Sequence, residues 1–212
     1  MSPITSIEVF LAHVRSCPTL QDDQVLERRI ATWLAYYRTL QFVRQRYSQL
    51  NTAYVQAITR YLHTRETHPE TPDEATRAEA EVLREHLQKK YGSFYIFAIG
   101  LLDSMADVWQ CYFGLGWPRS EITHAHLTRD FPVLCRDKGL VLTPTALPRL
   151  MRELHADLVA SPSRLTALVD EHPEAHLIAV STAINVYIAA MMQFFARNEE
   201  HSVLYRAFAA HS

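Results

Sequence analysis

The feature that most constrains this chain is a long run of residues without a helix breaker. From about Gln21 to His63 the sequence contains neither proline nor glycine. Its large apolar side chains recur in steps of three and four residues, interrupted once at Arg44, and this spacing places them along one face of an α-helix. They are Ile30, Trp33, Tyr37, Leu40, Tyr47, Leu50, Tyr54, Ala57 and Tyr61. The run therefore predicts one very long helix with a single packing seam.

A second helix of similar length is predicted from about Pro72 to Phe113. Thr71 is its candidate N-cap, with proline in the first turn, and Gly114 is suited to its C-terminus. Its seam alternates steps of four and three without a fault, at Leu87, Tyr91, Phe94, Ala98, Leu101, Met105, Val108 and Tyr112. Two helices of about 40 residues, at a rise of about 1.5 Å per residue, form an antiparallel hairpin about 60 Å long. We place this hairpin at residues 21–113.

The remaining chain predicts shorter helices over residues 118–172 and a long apolar helix over about 174–197. The shorter ones are expected at Ser120–Leu127, Pro132–Lys138, Ala146–Ala160 and Ser163–Glu171. With only 5 glycines there is little material for hairpin turns, whereas 48% hydrophobic residues suffice for a core. The prediction is an all-α fold: a single helical domain over residues 1–212, built as a bundle on the hairpin, with a buried final helix.

The two halves of the hairpin differ in composition. The Tyr91–Phe113 half carries further apolar residues outside its seam, at Ile96, Phe97, Ile99, Leu102, Trp109 and Phe113. We expect this half to be covered on most sides. The Pro72–Lys90 half is charged and has small seam residues, so we expect it to project from the core or to pack lightly.

Charge and cysteine content point to a cytoplasmic protein. The formal net charge is −2, so no overall basic field recruits nucleic acid, although 18 of the 21 basic side chains are arginines suited to local phosphate contacts. The three cysteines are far apart and the first residues lack a signal-peptide pattern. Leu177–Ala196 has no charge over a membrane-spanning length, but its polar residues favour a core helix, so we expect no membrane insertion.

One polar strip interrupts the apolar helix. Asp103 and Asp107 lie four residues apart, and paired carboxylates bind metals or share a proton. Di-iron bundles, however, carry Glu-x-x-His motifs on two helices, and the sequence does not contain two such motifs. We therefore predict no metal and no cofactor, and expect the strip to face solvent or to pair with arginines. The closely spaced histidine pairs, His124 with His126 and His172 with His176, are expected in surface or capping roles.

The segment Tyr91–Gly114 resembles the central helix of some HEPN-superfamily proteins. The shared features are an aromatic run, then Leu-Leu-Asp, then small residues and Tyr-Phe-Gly. The resemblance implies an up-and-down helical bundle, often dimeric, associated with RNA cleavage or RNA binding in bacterial toxin–antitoxin and phage-defence systems.

Active members of that superfamily carry an arginine followed after four to six residues by a histidine. The pair at 149 and 155 is the best placed in this chain because it opens a helix in the second half; the other pairs with this spacing are Arg119 with His124 or His126, and Arg206 with His211. The resemblance therefore implies Arg149 and His155 as catalytic residues of a metal-independent ribonuclease, with the arginine on the scissile phosphate and the histidine handling the 2′-hydroxyl proton. Leu150 follows the arginine where active members carry a polar residue. The hypothesis therefore includes a catalytically degenerate, RNA-binding member.

Three functions are consistent with these patterns. The first is a HEPN-like module of a bacterial stress or defence system, with RNA or an antitoxin as its partner. The second is a non-enzymatic helical module that binds a partner protein, and the third is a bundle that binds a small ligand around Asp103 and Asp107. The apolar final and central helices additionally predict a homo-oligomer.

Overall fold

The described part of the chain consists of helices joined by turns and short irregular segments. The computed structural model describes residues 6–16, 24–70, 73–118, 122–164 and 173–205, which contain no strand. Their six α-helices are α1 (Ile7–Arg15), α2 (Val25–Thr67), α3 (Glu74–Phe113), α4 (His124–Asp137), α5 (Leu147–Arg164) and α6 (Pro173–Arg197), and a 3₁₀ turn follows at Glu199–His201. The all-α fold class is confirmed.

Helices α2 and α3 form the antiparallel hairpin that the sequence predicts. They contain 43 and 40 residues. Gly114 ends α3 in the left-handed conformation, at φ 60°, which glycine adopts without strain. At the other end the cap is Asp73, whose side chain accepts a hydrogen bond from the backbone N–H of Thr76 at 3.1 Å. The predicted cap Thr71 and Pro72 lie outside the described residues.

The predicted seams lie on the buried faces of the long helices. All eight seam residues of α3 are buried. Helix α6 buries a row of six residues with the same three-four spacing: Leu177, Val180, Ile184, Tyr187, Met191 and Phe194. In α2 the seam residues Ile30, Trp33 and Leu40 are buried, and Val43 is buried next to the position of Arg44, where the seam is interrupted. Tyr37, Leu50 and Tyr54 are partly buried against the same core.

The core lies around the C-terminal half of α3. Trp109 contacts four aromatic rings, those of Phe113, Phe131, Phe194 and Phe195, with ring centroids 4.8 to 5.3 Å apart. These rings come from α3, α4 and α6. Because Trp109 is fully buried, its indole is the point where three helices meet.

Helix α1 was not predicted from the sequence. Ser6 caps it by accepting from the backbone N–H of Val9 at 3.2 Å, and its buried residues are Ile7, Phe10, Leu11 and Val14. Their spacing is the helical one, but the helix has only 9 residues, too few to be stable without tertiary packing. Phe10 supplies that packing against Tyr112 and Phe195.

Two details of the sequence analysis were wrong. The two short helices expected at Ser120–Leu127 and Pro132–Lys138 form the single helix α4, with Pro132 inside it. A proline there removes one helical hydrogen bond, but Phe131 and Leu134 are buried on either side, and this packing keeps the helix continuous. Likewise α5 runs unbroken to Arg164, past the boundary predicted before Ser163.

The Tyr91–Phe113 half of α3 is covered on most sides, as the sequence predicts. Leu102, Trp109 and Phe113 are buried against the other helices. In this half only Ile96, at 70%, and Ile99, at 38%, are exposed.

The distal half of the hairpin has little packing beyond its own two helices. We call residues 51–70 and 73–90 the arm. Among its described residues only Ala57, Ala80 and Leu87 are buried, and the two alanines allow close approach of the helices. An exposed ion pair between Arg60 and Glu79, at 2.9 Å, adds little because solvent screens it.

Helix α6 is buried on one side only. Its seam faces the core, while Ile178 and Val186 are 50% and 49% exposed on the other side. It is the one helix of the described chain that is long and apolar enough to cross a membrane, judged by length and composition alone. The final helix, which we predicted to be buried, is therefore buried along its seam and exposed along its outer side.

A close helix approach gives the first testable prediction. A Cβ at Gly100 would lie 2.6 Å from Cε1 of Tyr36, whereas a Cβ at Gly92, on the same helix, meets nothing within 4 Å. Gly92→Ala should raise the free energy of unfolding by about 1 kcal/mol, the difference in helix propensity. Gly100→Ala should gain less or lose stability, because the tyrosine ring has to move.

Urea unfolding measures both changes, and a Tyr36→Ala background provides the control. There Gly100→Ala should recover the gain seen at Gly92, which gives a coupling between the two positions. Equal gains for Gly100→Ala and Gly92→Ala in the wild-type background would show that the close contact does not exist.

Candidate functional site

The predicted polar strip lies in a groove between α2, α3 and the segment before α4. The groove has a volume of about 450 Å³ and is lined by Arg29, Thr32, Tyr36, Gly100, Asp103, Ser104, Asp107 and Ile122. Its shape follows from Gly100, which lets the Tyr36 ring lie against the α3 backbone. The strip is therefore not a flat solvent-facing surface but one wall of a groove.

Asp107 pairs with an arginine, as one of the two sequence alternatives expected. A guanidinium N–H of Arg29 donates to a carboxylate oxygen of Asp107. Arg29 lies on α2, near the end of the hairpin opposite the arm. Their side chains are 33% and 21% exposed, so water screens this pair less than it screens the exposed pairs of the arm.

Asp103 helps to begin α4. One of its carboxylate oxygens accepts from the backbone N–H of His124 at 2.9 Å, while the hydroxyl of Thr123 accepts from the N–H of His126 at 3.2 Å. Two otherwise unpaired N–H groups at the helix start are thus satisfied, and the carboxylate lies at the positive end of the helix dipole. Asp103 therefore joins α3 to α4.

These contacts determine what the strip can do chemically. Each carboxylate already accepts one strong hydrogen bond, and the guanidinium of Arg29 leaves the groove with one net negative charge. Across the described ranges, no group of three or more histidine, cysteine or acidic side chains is placed to hold a metal ion. What the groove offers a ligand is an aromatic face at Tyr36, an apolar side chain at Ile122 and the remaining carboxylate lone pairs.

A buried histidine lies next to this groove. His124 is 1% exposed, and its Nε2 is 3.1 Å from the hydroxyl of Tyr187 on α6. Its ring centroid is 5.6 Å from that of His155 on α5. Burial, with a smaller contribution from His155, lowers the pKa of His124 to about 3. Burial likewise raises the pKa of the Tyr187 hydroxyl far above its usual range.

His124 was expected in a surface or capping role, and that expectation was wrong. Its side chain is a core residue in contact with two other helices. His126, two residues on, is largely enclosed too: its side chain is 12% exposed, stacks on Trp117 with ring centroids 4.5 Å apart and pairs with Asp130 at 2.7 Å. Two histidines separated by one residue point to different sides of a helix, so the two side chains have different neighbours.

His176 is also more enclosed than expected. Its Nδ1 lies 2.5 Å from the hydroxyl of Tyr95 and 3.4 Å from that of Tyr91, both on α3. The two tyrosine hydroxyls are 3.2 Å apart. This network fastens the first turn of α6 to the hairpin where the arm begins, and His172 lies outside the described residues.

The predicted catalytic residues Arg149 and His155 lie on the same helix, α5, but on different sides of it. Six residues of helix separate two side chains by about 120° around the axis and about 9 Å along it. The Arg149 side chain is 68% exposed and lies 3.6 Å from the carboxylate of Glu153. His155 is half-buried beside His124. Within one chain the two side chains do not share a face.

Sequence reasoning missed Arg29, Tyr36 and the buried role of His124. Arg29 comes from a helix 78 residues away from its partner Asp107, and only the register of the hairpin brings them together. Comparison with family models, with curated proteins and with solved structures found no match for this chain.

The buried histidine generates the second prediction, a loss of stability in acid. Folded His124 stays neutral down to about pH 3, whereas an unfolded histidine takes up a proton near pH 6.5. The unfolded chain therefore binds more protons between these values. The stabilisation from this group is complete above pH 6.5 and is lost as the pH falls towards 3, by up to about 1.4 kcal/mol per pH unit.

Urea unfolding between about pH 7.5 and 5 tests this slope. His124→Gln keeps a hydrogen-bonding group next to Tyr187 but does not titrate. The slope of its free energy of unfolding against pH should therefore be smaller than that of wild type, by an amount that corresponds to up to one bound proton. His86→Gln, at an exposed position of the arm, is the control and should keep the wild-type slope. An unchanged slope in His124→Gln would show that this histidine is not buried in its neutral form.

Proposed function

We propose that this protein is a non-enzymatic interaction module whose arm binds a helical segment of a partner protein. The observation that carries the proposal is the incomplete packing of the arm. Over its described residues only Ala57, Ala80 and Leu87 are buried, while the other half of the hairpin is packed by α1, α4, α5 and α6. An additional helix along the arm would supply the missing contacts.

The arm exposes apolar side chains in a pattern suited to a helix. Val55 and Leu62 are 50% and 48% exposed, and their separation of seven positions places them on the same side of α2. On α3, Val82 is 54% exposed. Amphipathic helices bind through apolar residues with this spacing of three, four and seven. Single exposed apolar residues are common, but here they coincide with two helices that have few other partners.

The charges of the arm favour a protein partner over a phosphate backbone. Its sequence has six basic and seven acidic side chains, a net charge of −1. Several of them pair with each other, including Arg60 with Glu79 and Arg77 with Glu81. Binding of RNA depends mainly on basic side chains that neutralise phosphates, and such a surface is not formed here. Mixed charge instead suits the polar rim of a protein interface.

The third prediction concerns site-specific photo-crosslinking in cells of the source organism. A photoreactive residue in place of Leu62 should give a discrete protein adduct, because that side chain lies in the proposed contact. The adduct should disappear when Val55→Asp is added, since a carboxylate would then be desolvated in an apolar contact. The same photoreactive residue in place of the exposed Ala156, on α5, is the control and should give no such adduct. If positions 62 and 156 behave alike, the arm is not the binding surface.

The ribonuclease hypothesis makes the opposite prediction and can be tested with purified protein. Single-stranded RNA incubated with the protein in EDTA should stay intact under our proposal. Arg149→Ala and His155→Ala should then be indistinguishable from wild type. The opposite outcome is metal-independent cleavage that both substitutions abolish while the helical circular dichroism signal is retained. That result would contradict the interaction module and support the HEPN-like nuclease.

A further inference from the structure

The outer side of α6 is a second surface, with a different character from the arm. It consists of nine exposed or half-exposed residues, which we call the outer face of α6: Ala175, Ile178, Ala179, Thr182, Asn185, Val186, Ala189, Gln193 and Ala196. None of them is charged, over about 30 Å of helix. A solvent-facing side of a helix ordinarily carries charged residues. The outer face of α6 therefore has the composition of a contact surface.

The spacing on this face indicates what kind of surface fits it. Ala175, Thr182, Ala189 and Ala196 recur every seven residues. A heptad repeat keeps one side of a helix against another helix along its whole length. Side chains this small allow the two backbones to approach closely. The opposite side of α6 already has its own buried seam. Among the described residues, the outer face makes one side-chain hydrogen bond to another helix, in which Asn185 Oδ1 accepts from the Tyr37 hydroxyl at 3.1 Å.

The charges at the two ends of α6 select the orientation of the second helix. Glu174 lies at its N-terminus and Arg197 at its C-terminus. Arg197 is exposed and has no ion pair with any residue in the described ranges. Glu174 accepts from Ser48 at 2.5 Å and from Asn51 at 2.6 Å, and a carboxylate has further lone pairs to offer. An antiparallel neighbour with the same sequence brings each arginine to a glutamate.

We propose that the outer face of α6 binds the same face of a second copy of this chain, antiparallel, about a two-fold axis between Asn185 and Val186. This register places Thr182 opposite Ala189 of the other copy and Ala175 opposite Ala196. It also places Glu174 opposite Arg197 at both ends, and the helix dipoles run in opposite directions. The contact is the same from either side, which is what a closed two-fold dimer requires.

A charged partner suits this face less well. Its charges would lose water against an uncharged surface and gain no counter-charge there. The arm is not part of the contact and remains available in both copies. The dimer is therefore independent of the proposed function of the arm, and either can fail without the other.

Sedimentation equilibrium at tens of micromolar protein tests the dimer. Wild type should have twice the chain mass of 24.4 kDa. Ala189→Arg should return it to the monomer mass, because a guanidinium is placed opposite Thr182 of the other copy. Ala156→Arg, on the exposed side of α5, is the matched control and should stay dimeric, with circular dichroism checking that both variants are folded. A wild-type monomer at these concentrations overturns the proposal, as does a dimer that Ala189→Arg leaves intact.

Disulfide cross-linking tests the orientation, in a background with the three native cysteines replaced by alanine. Val186→Cys lies next to the proposed axis and should form a covalent dimer on oxidation. Ala175→Cys should not, because the two copies of that position are about 30 Å apart in the antiparallel register. A covalent dimer through Ala175→Cys would mean parallel helices and contradict the proposed interface.

A lipid bilayer is the other apolar environment that could cover this face, so the last measurement is vesicle co-sedimentation. With vesicles of phosphatidylcholine and phosphatidylglycerol, the wild-type protein should remain in the supernatant. If the wild-type protein sediments with the vesicles and Ala189→Arg abolishes this binding, the dimer proposal is overturned and the outer face of α6 contacts a membrane instead.

Discussion

Burial of the C-terminal half of α3 is the constraint on which the rest of the structure depends. Its aromatic residues are too large for one neighbouring helix to cover, so they need several. Trp109 illustrates this, since its indole contacts rings from α4 and α6 as well as from α3 itself. Truncating a buried ring of this size in a protein core costs about 3–5 kcal/mol, a large part of the stability of a typical domain. Helices α1, α4, α5 and α6 are arranged around that requirement.

Within the described part of the chain, the same arrangement leaves two surfaces with few contacts to other helices. The hairpin continues past the helices that cover its other half, so the arm is packed mainly by its own two helices. Helix α6 covers α3 with one side and presents its second, uncharged side outwards. One surface mixes charges of both signs with a few exposed apolar residues, and the other has no charge at all. We therefore assign them to different partners, a helical segment of another protein for the arm and a second copy for α6.

The sequence was sufficient for those parts of the fold that depend on local pattern. Proline and glycine mark the ends of the hairpin, and the three-four spacing of residues such as Leu101, Met105 and Val108 gave the buried face of α3 correctly. The pattern could not show that Pro132 lies inside α4, because tertiary packing outweighs the local cost of proline there. It could not identify α1, a helix too short to form without the core that Phe10 enters.

The candidate site was harder to predict because it depends on which helices meet. Asp103 and Asp107 were recognised as unusual from their apolar surroundings. Their partners, the backbone of His124 and the guanidinium of Arg29, come from other helices and are set by packing. Arg149 and His155 came from a resemblance to the HEPN superfamily, and their catalytic role stays a prediction.

Hydrogen exchange of the purified protein, followed by mass spectrometry, tests the central claim that the arm lacks packing which the rest of the hairpin has. Amides of the arm in α2 and α3 should exchange through local opening, with free energies well below that of global unfolding. Amides from Leu101 to Phe113 and from Ile184 to Phe195 should exchange only when the whole domain unfolds. Arm amides as protected as those around Trp109 would contradict the claim, because the arm would then be stabilised as fully as the core and would need no partner helix.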